Sequence, residues 1–180
     1  MKKRKNVFDT VIDAIGFQVR RERLPNPRDD NETLLEVVGY KQNQDYTCGY
    51  AAGLMVLHTF YPKKCKHQFL ERVRPHKDSG VSTTRLAKSL RDSGLSVKIE
   101  RGKLSLRRIQ EAIETGMPVI TTIGAGNDIE HWVVIFGVGY RPNRVFIAGN
   151  GFFGKREFSW AEFRKEERGA LTGSIICWAK

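Results

Sequence analysis

With 180 residues, 40% of them hydrophobic and 28% charged, the sequence fits one globular domain and is too apolar for a disordered or fibrous chain. Thirty-one Lys and Arg against 20 Asp and Glu leave a formal charge of +11. That makes acidic surfaces, nucleic acid or an acidic peptide or protein substrate, candidate partners. The basic residues spread along nearly every predicted polar face, however, with no nucleic-acid module among them, which reads as a solvated surface and disfavours nucleic acid. No stretch approaches the ~20 consecutive apolar residues of a membrane helix. Cys48, Cys65 and Cys177 form neither a C-x-x-C metal pair nor an even disulfide set, so a reducing, cytoplasmic setting without metal or cofactor is expected.

Met1 to Lys5 has the basic character of a secretion signal, but Asp9, Asp13 and Gln18 interrupt the segment behind it, where such a signal is apolar. From Asn6 to Arg20 the residues Phe8, Val11, Ile12, Ile15 and Val19 recur at helical spacing. A polar link with Pro25 and Pro27 follows and serves as a hinge. Leu34 to Val38 reads as a short strand. A polar loop from Lys41 to Gly49 then leads into an apolar run from Tyr50 to Phe60, predicted to be a helix buried nearly all round with Cys48 at its first turn.

Helices are predicted over Cys65 to Val73, over Thr83 to Ser93 behind a capping Ser82, and over Ser105 to Thr115 with Gly116 as its stop. Leu95 to Glu100 is strand-like. Pro118 to Ile123, His131 to Tyr140 and Val145 to Ala148 are rich in Val and Ile and separated by turn residues, which predicts a sheet. Lys155 to Phe158 is a further strand candidate, Ser159 to Arg168 a capped helix, and Leu171 to Ala179 a last strand. Helices first and antiparallel strands second is an α+β pattern.

A thiol at the first turn of a helix lies where unpaired amides and the peptide dipoles favour thiolate, which makes Cys48 a candidate nucleophile. Gly49 adds backbone that a substrate chain can approach closely. In the preceding loop Gln42, six residues before Cys48, carries an amide able to donate to an oxyanion, as do its neighbours, any of which can instead satisfy turn backbone. Of the histidines, His58 lies about 15 Å of helical rise from Cys48, and His67 and His76 fall in polar, Lys-rich surroundings. His131 opens a strand and is the candidate base. Asn150 follows the next strand and can orient an imidazole, with Asp128 as the rival, although Gly149-Asn150-Gly151 is also turn chemistry.

Together the run Gln42 to Ala52, Gly80 to Leu86, Ser93-Gly94-Leu95, Gly116 to Ile120, His131 to Ile135 with Gly137 and Tyr140, and Ser159 to Phe163 resembles the papain-like cysteine peptidases of the bacteriocin-processing, double-glycine type and their single-domain relatives. The resemblance runs from Val38 to Phe163. It implies an α+β, papain-like fold over 33–180, with a nucleophile helix packed on a C-terminal antiparallel sheet, and leaves 1–32 as an N-terminal helix and Pro-containing linker. It also implies Cys48 as nucleophile, His131 as general base and acid, Gln42 as oxyanion donor and Asn150 as third member. Relatives usually carry Asp-Pro where this chain has Asn150-Gly151, and often Pro where it has Tyr50, a change expected to alter the substrate entrance. The expected activity is hydrolysis of a peptide or isopeptide bond through an acyl-enzyme. The alternatives are acyl transfer or amidase chemistry at the same site, or a peptide- or nucleic-acid-binding module without catalysis.

Overall fold

The computed structural model describes residues 20–22, 31–42, 44–124, 130–149 and 157–180. The helix expected over Asn6 to Arg20, except for Arg20 itself, and both prolines of the link lie outside these residues. Arg20 begins a strand, β1 (Arg20–Glu22), which pairs antiparallel with β3 (Gly39–Lys41).

The fold is organised around α1 (Cys48–Phe60), whose residues from Cys48 to Leu57 are all buried. A helix apolar on every side has no solvent face to offer, so it sits inside the molecule as its sequence predicts. α2 (Lys66–Val73) and α3 (Thr83–Asp92) pack beside it. The Ser82 hydroxyl caps α3 by accepting from the Arg85 amide, and Ser105 caps α4 (Leu106–Glu114) in the same way. Each satisfies one of the amides a helix start leaves unpaired.

Seven strands form the main sheet in the order β4 (Leu95–Glu100), β9 (Ser174–Ala179), β5 (Val119–Gly124), β6 (Glu130–Tyr140), β7 (Asn143–Ala148) and β8 (Glu157–Ser159), with β2 (Glu32–Leu34) also paired to β6. β7 covers one edge of β6 along residues 134–140. β5 and β2 therefore share the other edge end to end, β5 against 130–135 and β2 against 137–139. Side chains alternate across the sheet. Trp132, Val134 and Phe136 join α1 to α3 in one core, while Val133, Ile135 and Val138 join α4 and α5 (Trp160–Glu166) in another. A bulge between Ile135 and Gly137 shifts the register between these halves of the strand.

Three expectations are corrected. Leu34 to Val38 is not one strand: the Leu35 amide still donates to Phe136 O at 2.7 Å, but the Val38 amide turns to the Thr59 hydroxyl of α1 at 3.0 Å, so the chain leaves the sheet before β3. The helix over Ser159 to Arg168 stops at Glu166, because the Arg168 amide pairs with Thr122 O of β5 at 2.8 Å. The strand expected from Leu171 starts at Ser174, since Gly169–Thr172 form a short helix, α6, ended by Gly173 at φ 83°. Among the described residues no helix is long and apolar enough to cross a membrane.

Candidate active site

Cys48 is the first residue of α1, directly after a 3-10 turn over Asp45–Thr47. That turn is pinned by Thr47, whose amide and hydroxyl both donate to Gln44 O, at 3.1 and 2.7 Å. The thiol therefore stands among the unpaired amides at the positive end of a 13-residue helix with no acidic side chain in its first turn, the place where negative charge on sulfur is most favoured. Cys48 is buried. Cys177 is fully buried in β9, and burial pushes its thiol up and keeps it protonated. Cys65 is exposed.

His131 is the second residue of β6, opposite Ile123 of β5. It too is buried, and its Nε2 lies 2.8 Å from Gly149 O. A carbonyl oxygen only accepts, so Nε2 carries the hydrogen and Nδ1 holds the lone pair of the neutral ring. Sequence reasoning had no means of finding this partner, because it is a backbone atom; Asn150, the neighbouring residue, lies outside the described residues, as does Asp128. Gly149 reaches back toward α1, since a Cβ on it would lie 3.3 Å from Met55 Cε of that helix.

The starts of α1 and β6 meet through their neighbours. A Cβ on Gly49 would lie 3.0 Å from Trp132 Cδ1 and 3.0 Å from Val81 Cβ. Cys48 and His131 are thus each one residue from a pair in van der Waals contact. This corrects the expectation that Gly49 leaves room for substrate: the space beside it is filled by the chain's own Trp132 and Val81 side chains. The Trp132 indole N–H also donates to Val81 O at 3.1 Å, tying the strand to the segment before α3.

A cleft of about 670 Å³ opens at this junction, lined by Tyr46 and Cys48, by residues 77–84 as a facing wall, by Glu130 and Trp132 of β6, and by Thr172. Its size suits a small ligand or a few residues of a peptide. Thr172 fastens the base of the cleft, its carbonyl accepting from the Thr83 hydroxyl and its own hydroxyl lying 2.8 Å from that of Thr122. Burial raises the Glu130 carboxyl above its ordinary value, and the Arg168 charge opposes that shift. Val81, Trp132 and Thr172 were missed in the sequence. Only Trp132 has a local signal there, its place next to His131.

Gln42 follows β3 directly and is half-buried. His58 is occupied elsewhere: Nε2 donates to Lys64 O at 3.0 Å, which leaves Nδ1 to accept from the Tyr40 hydroxyl at 2.6 Å. His67 lies on α2, and exposed His76 precedes the cleft wall. Tyr50 does not shape the cleft entrance as expected. It is buried, stacks on Phe69 and donates its hydroxyl to Lys66 O at 3.3 Å, and so anchors α2.

Solved structures similar to this one include a double glycine motif protease from an AMS/PCAT transporter in complex with the leader peptide, with 20% identity, a TM-score of 0.62, and coverage of 82% of this chain and 94% of that one. The peptidase domain of Streptococcus ComA, a bifunctional ABC transporter of a quorum-sensing pathway, shares 15% identity at a TM-score of 0.62, over 82% of this chain and 98% of its own. A C39-like peptidase from Bacillus anthracis shares 14% at a TM-score of 0.60, over 76% and 90%. No curated protein matches the chain in sequence. At these identities the structures show the fold; the family follows from the sequence itself, which matches the Peptidase C39 family over residues 37–171. Extending from the segment ahead of β3 into α6, that match shows that the chain belongs to the Peptidase C39 family and is a cysteine peptidase.

Proposed function

We propose that Cys48 and His131 form the catalytic pair of a peptide-bond hydrolase that works through an acyl-enzyme. The observation that carries this reading is the junction of the two element starts: Gly49, next to Cys48, packs on Trp132, next to His131, and the carbonyl that accepts from His131 Nε2 belongs to Gly149, which lies against Met55 of α1. In the first half-reaction His131 Nδ1 takes the thiol proton and the Cys48 sulfur attacks the carbonyl carbon. The C–N bond breaks, and the Nδ1 proton passes to the leaving amine. Water, deprotonated by the same nitrogen, then splits the thioester and frees the carboxylate. Throughout, the Gly149 carbonyl accepts from Nε2–H, which holds the ring in the tautomer the cycle needs and stabilises the imidazolium. Gln42 and the Cys48 amide donate to the oxyanion, and Asn150 is assigned the part of the third member of the triad. A peptide substrate is supported by the leader peptide bound to the AMS/PCAT protease.

Cleavage of a peptide library, read by mass spectrometry, tests the proposal. The wild-type protein is expected to release free carboxylates even with an added amine present. Cys48→Ala should have no turnover, His131→Ala should lose on the order of a thousandfold, and Gln42→Ala about a hundredfold. Undiminished cleavage by Cys48→Ala, or amide products in place of acids, would contradict it.

A further inference from the structure

The positive charge is not evenly distributed on the folded chain. Residues 63–92, comprising α2, α3 and the segments beside them, carry nine Lys and Arg against Glu71, Asp78 and Asp92, so a sixth of the sequence holds a net six of the eleven charges. All nine cations are exposed, and α2 packs on α3. The charges therefore fall on adjoining elements.

At the centre of this region is Arg74, with φ 45° and ψ 66°, the one described non-glycine residue at positive φ. Glycine is the usual occupant of such a helix end, because a side chain there is strained. Keeping an arginine in that conformation calls for a role for the side chain. Its Nε donates to Glu71 O at 2.8 Å, and Arg85 Nη1 donates to Arg74 O at 3.4 Å, so two guanidinium-bearing residues meet at the end of α2. This point adjoins the cleft. His76 and Gly80 exchange backbone hydrogen bonds at 2.8 Å to close the loop that puts Lys77 on the cleft wall, and Arg85 follows Thr84 of the same wall.

We propose that Arg74 and Arg85 dock the acidic flank of a peptide substrate whose neutral segment enters the cleft, an inference that rests on the reading of Cys48 as nucleophile. The cleft itself favours a peptide over a nucleic acid. Inside it Asp78 and Glu130 stand against Lys77, so a uniformly anionic chain is opposed there, while a peptide acidic only in its flank is not.

Fluorescence anisotropy on the whole protein tests this with a labelled peptide of about five glutamates joined to about five neutral residues, in both orders, beside its glutamine counterpart and a short oligothymidylate. In low salt the acidic peptide is expected to bind at least about tenfold tighter than the glutamine one, and to lose that advantage in about 0.5 M salt. The double variant Arg74→Gly/Arg85→Gln, which relieves the strained φ and so keeps the fold, should weaken binding about fivefold or more. Arg101→Gln/Arg107→Gln removes the same charge next to α4, on the other face of the sheet, and should change binding less than about twofold. Bound acidic peptide should also slow iodoacetamide alkylation of Cys48. Equal losses in the two double variants, binding that leaves Cys48 unprotected, or tighter Arg74- and Arg85-dependent binding of the oligothymidylate would overturn the proposal. Should Cys48 prove no more reactive than Cys65, the catalytic reading fails, and the anisotropy comparison alone decides the docking surface.

Discussion

Gly49 shows how little freedom the site has at the level of single residues. Its α-carbon is wedged between Trp132 and Val81, each 3.0 Å from where a Cβ would stand. Gly49→Ala must push apart two elements that the Trp132 indole holds together, at a cost of about 1–3 kcal/mol. Urea unfolding should show that loss, and alkylation of Cys48 should slow with it. Removing Asn150 should matter less than the usual third member of a triad, whose loss costs about 10⁴ in rate. Because the Gly149 carbonyl already accepts from His131 Nε2, Asn150→Ala is expected to lower kcat about tenfold, with the pH profile unmoved. A loss near 10⁴ would show that the carbonyl does not hold the tautomer.

Among the elements, β2 is the one most dependent on long-range contacts. Glu32, with its side chain almost wholly buried, lies 2.9 Å from Arg144 Nη2 of β7, and Arg144 Nη1 lies 2.9 Å from Glu157 of β8. One guanidinium thus joins three strands. Glu32→Ala leaves that buried cation short of a partner and should cost about 3 kcal/mol in urea unfolding, whereas a surface pair such as Arg107 with Glu111 contributes under about 1 kcal/mol. Elements of this kind were the hardest to read in the sequence. α1 was legible because ten consecutive buried residues leave an unbroken apolar run, and α3, α4 and α5 were legible because Ser82, Ser105 and Ser159 mark their starts. β2 and β3 were not, since the pairing of Glu32–Leu34 with Gly137–Gly139 and the tie from Val38 to Thr59 join residues far apart in the chain. The cleft wall at 77–84 was equally hidden: it is a polar loop running into α3, located by ties to residues distant in the chain, from Trp132 to Val81 and from Thr83 to Thr172. The candidate nucleophile and base were legible because each stands at the start of an element with a strong pattern of its own.

Across the whole molecule, buried and paired carboxyls make opposite demands on pH. Burial raises the Glu167 carboxyl above its ordinary 4.5, outweighing the nearby Lys103 and Arg164, whereas the Lys98 hydrogen bond holds Glu100 below 4.5. The folded state thus takes up a proton at Glu167 more readily than the unfolded chain. Its contribution is complete below about pH 4.5 and is lost as the pH rises through the raised value. Glu100 behaves in the reverse sense, contributing above 4.5 and losing that contribution in acid. Glu167→Gln should therefore gain stability relative to wild type between about pH 5 and 8 and show no advantage near pH 4, as urea unfolding at several pH values would reveal. A difference that does not change with pH would assign Glu167 a packing role only.

The central claim, that one thiol is activated by one imidazole at the junction of α1 and β6, is tested most directly by the rate of iodoacetamide alkylation at each cysteine against pH, read by mass spectrometry on the native protein. The account predicts that Cys48 reacts well below pH 8, the ordinary range of a free thiol, that Cys65 reacts only as the pH approaches that range, and that buried Cys177 does not react. It also predicts that His131→Ala moves the Cys48 profile up to that of Cys65. Coincident profiles for Cys48 and Cys65 in the wild-type protein, or a Cys48 profile indifferent to His131→Ala, would contradict it.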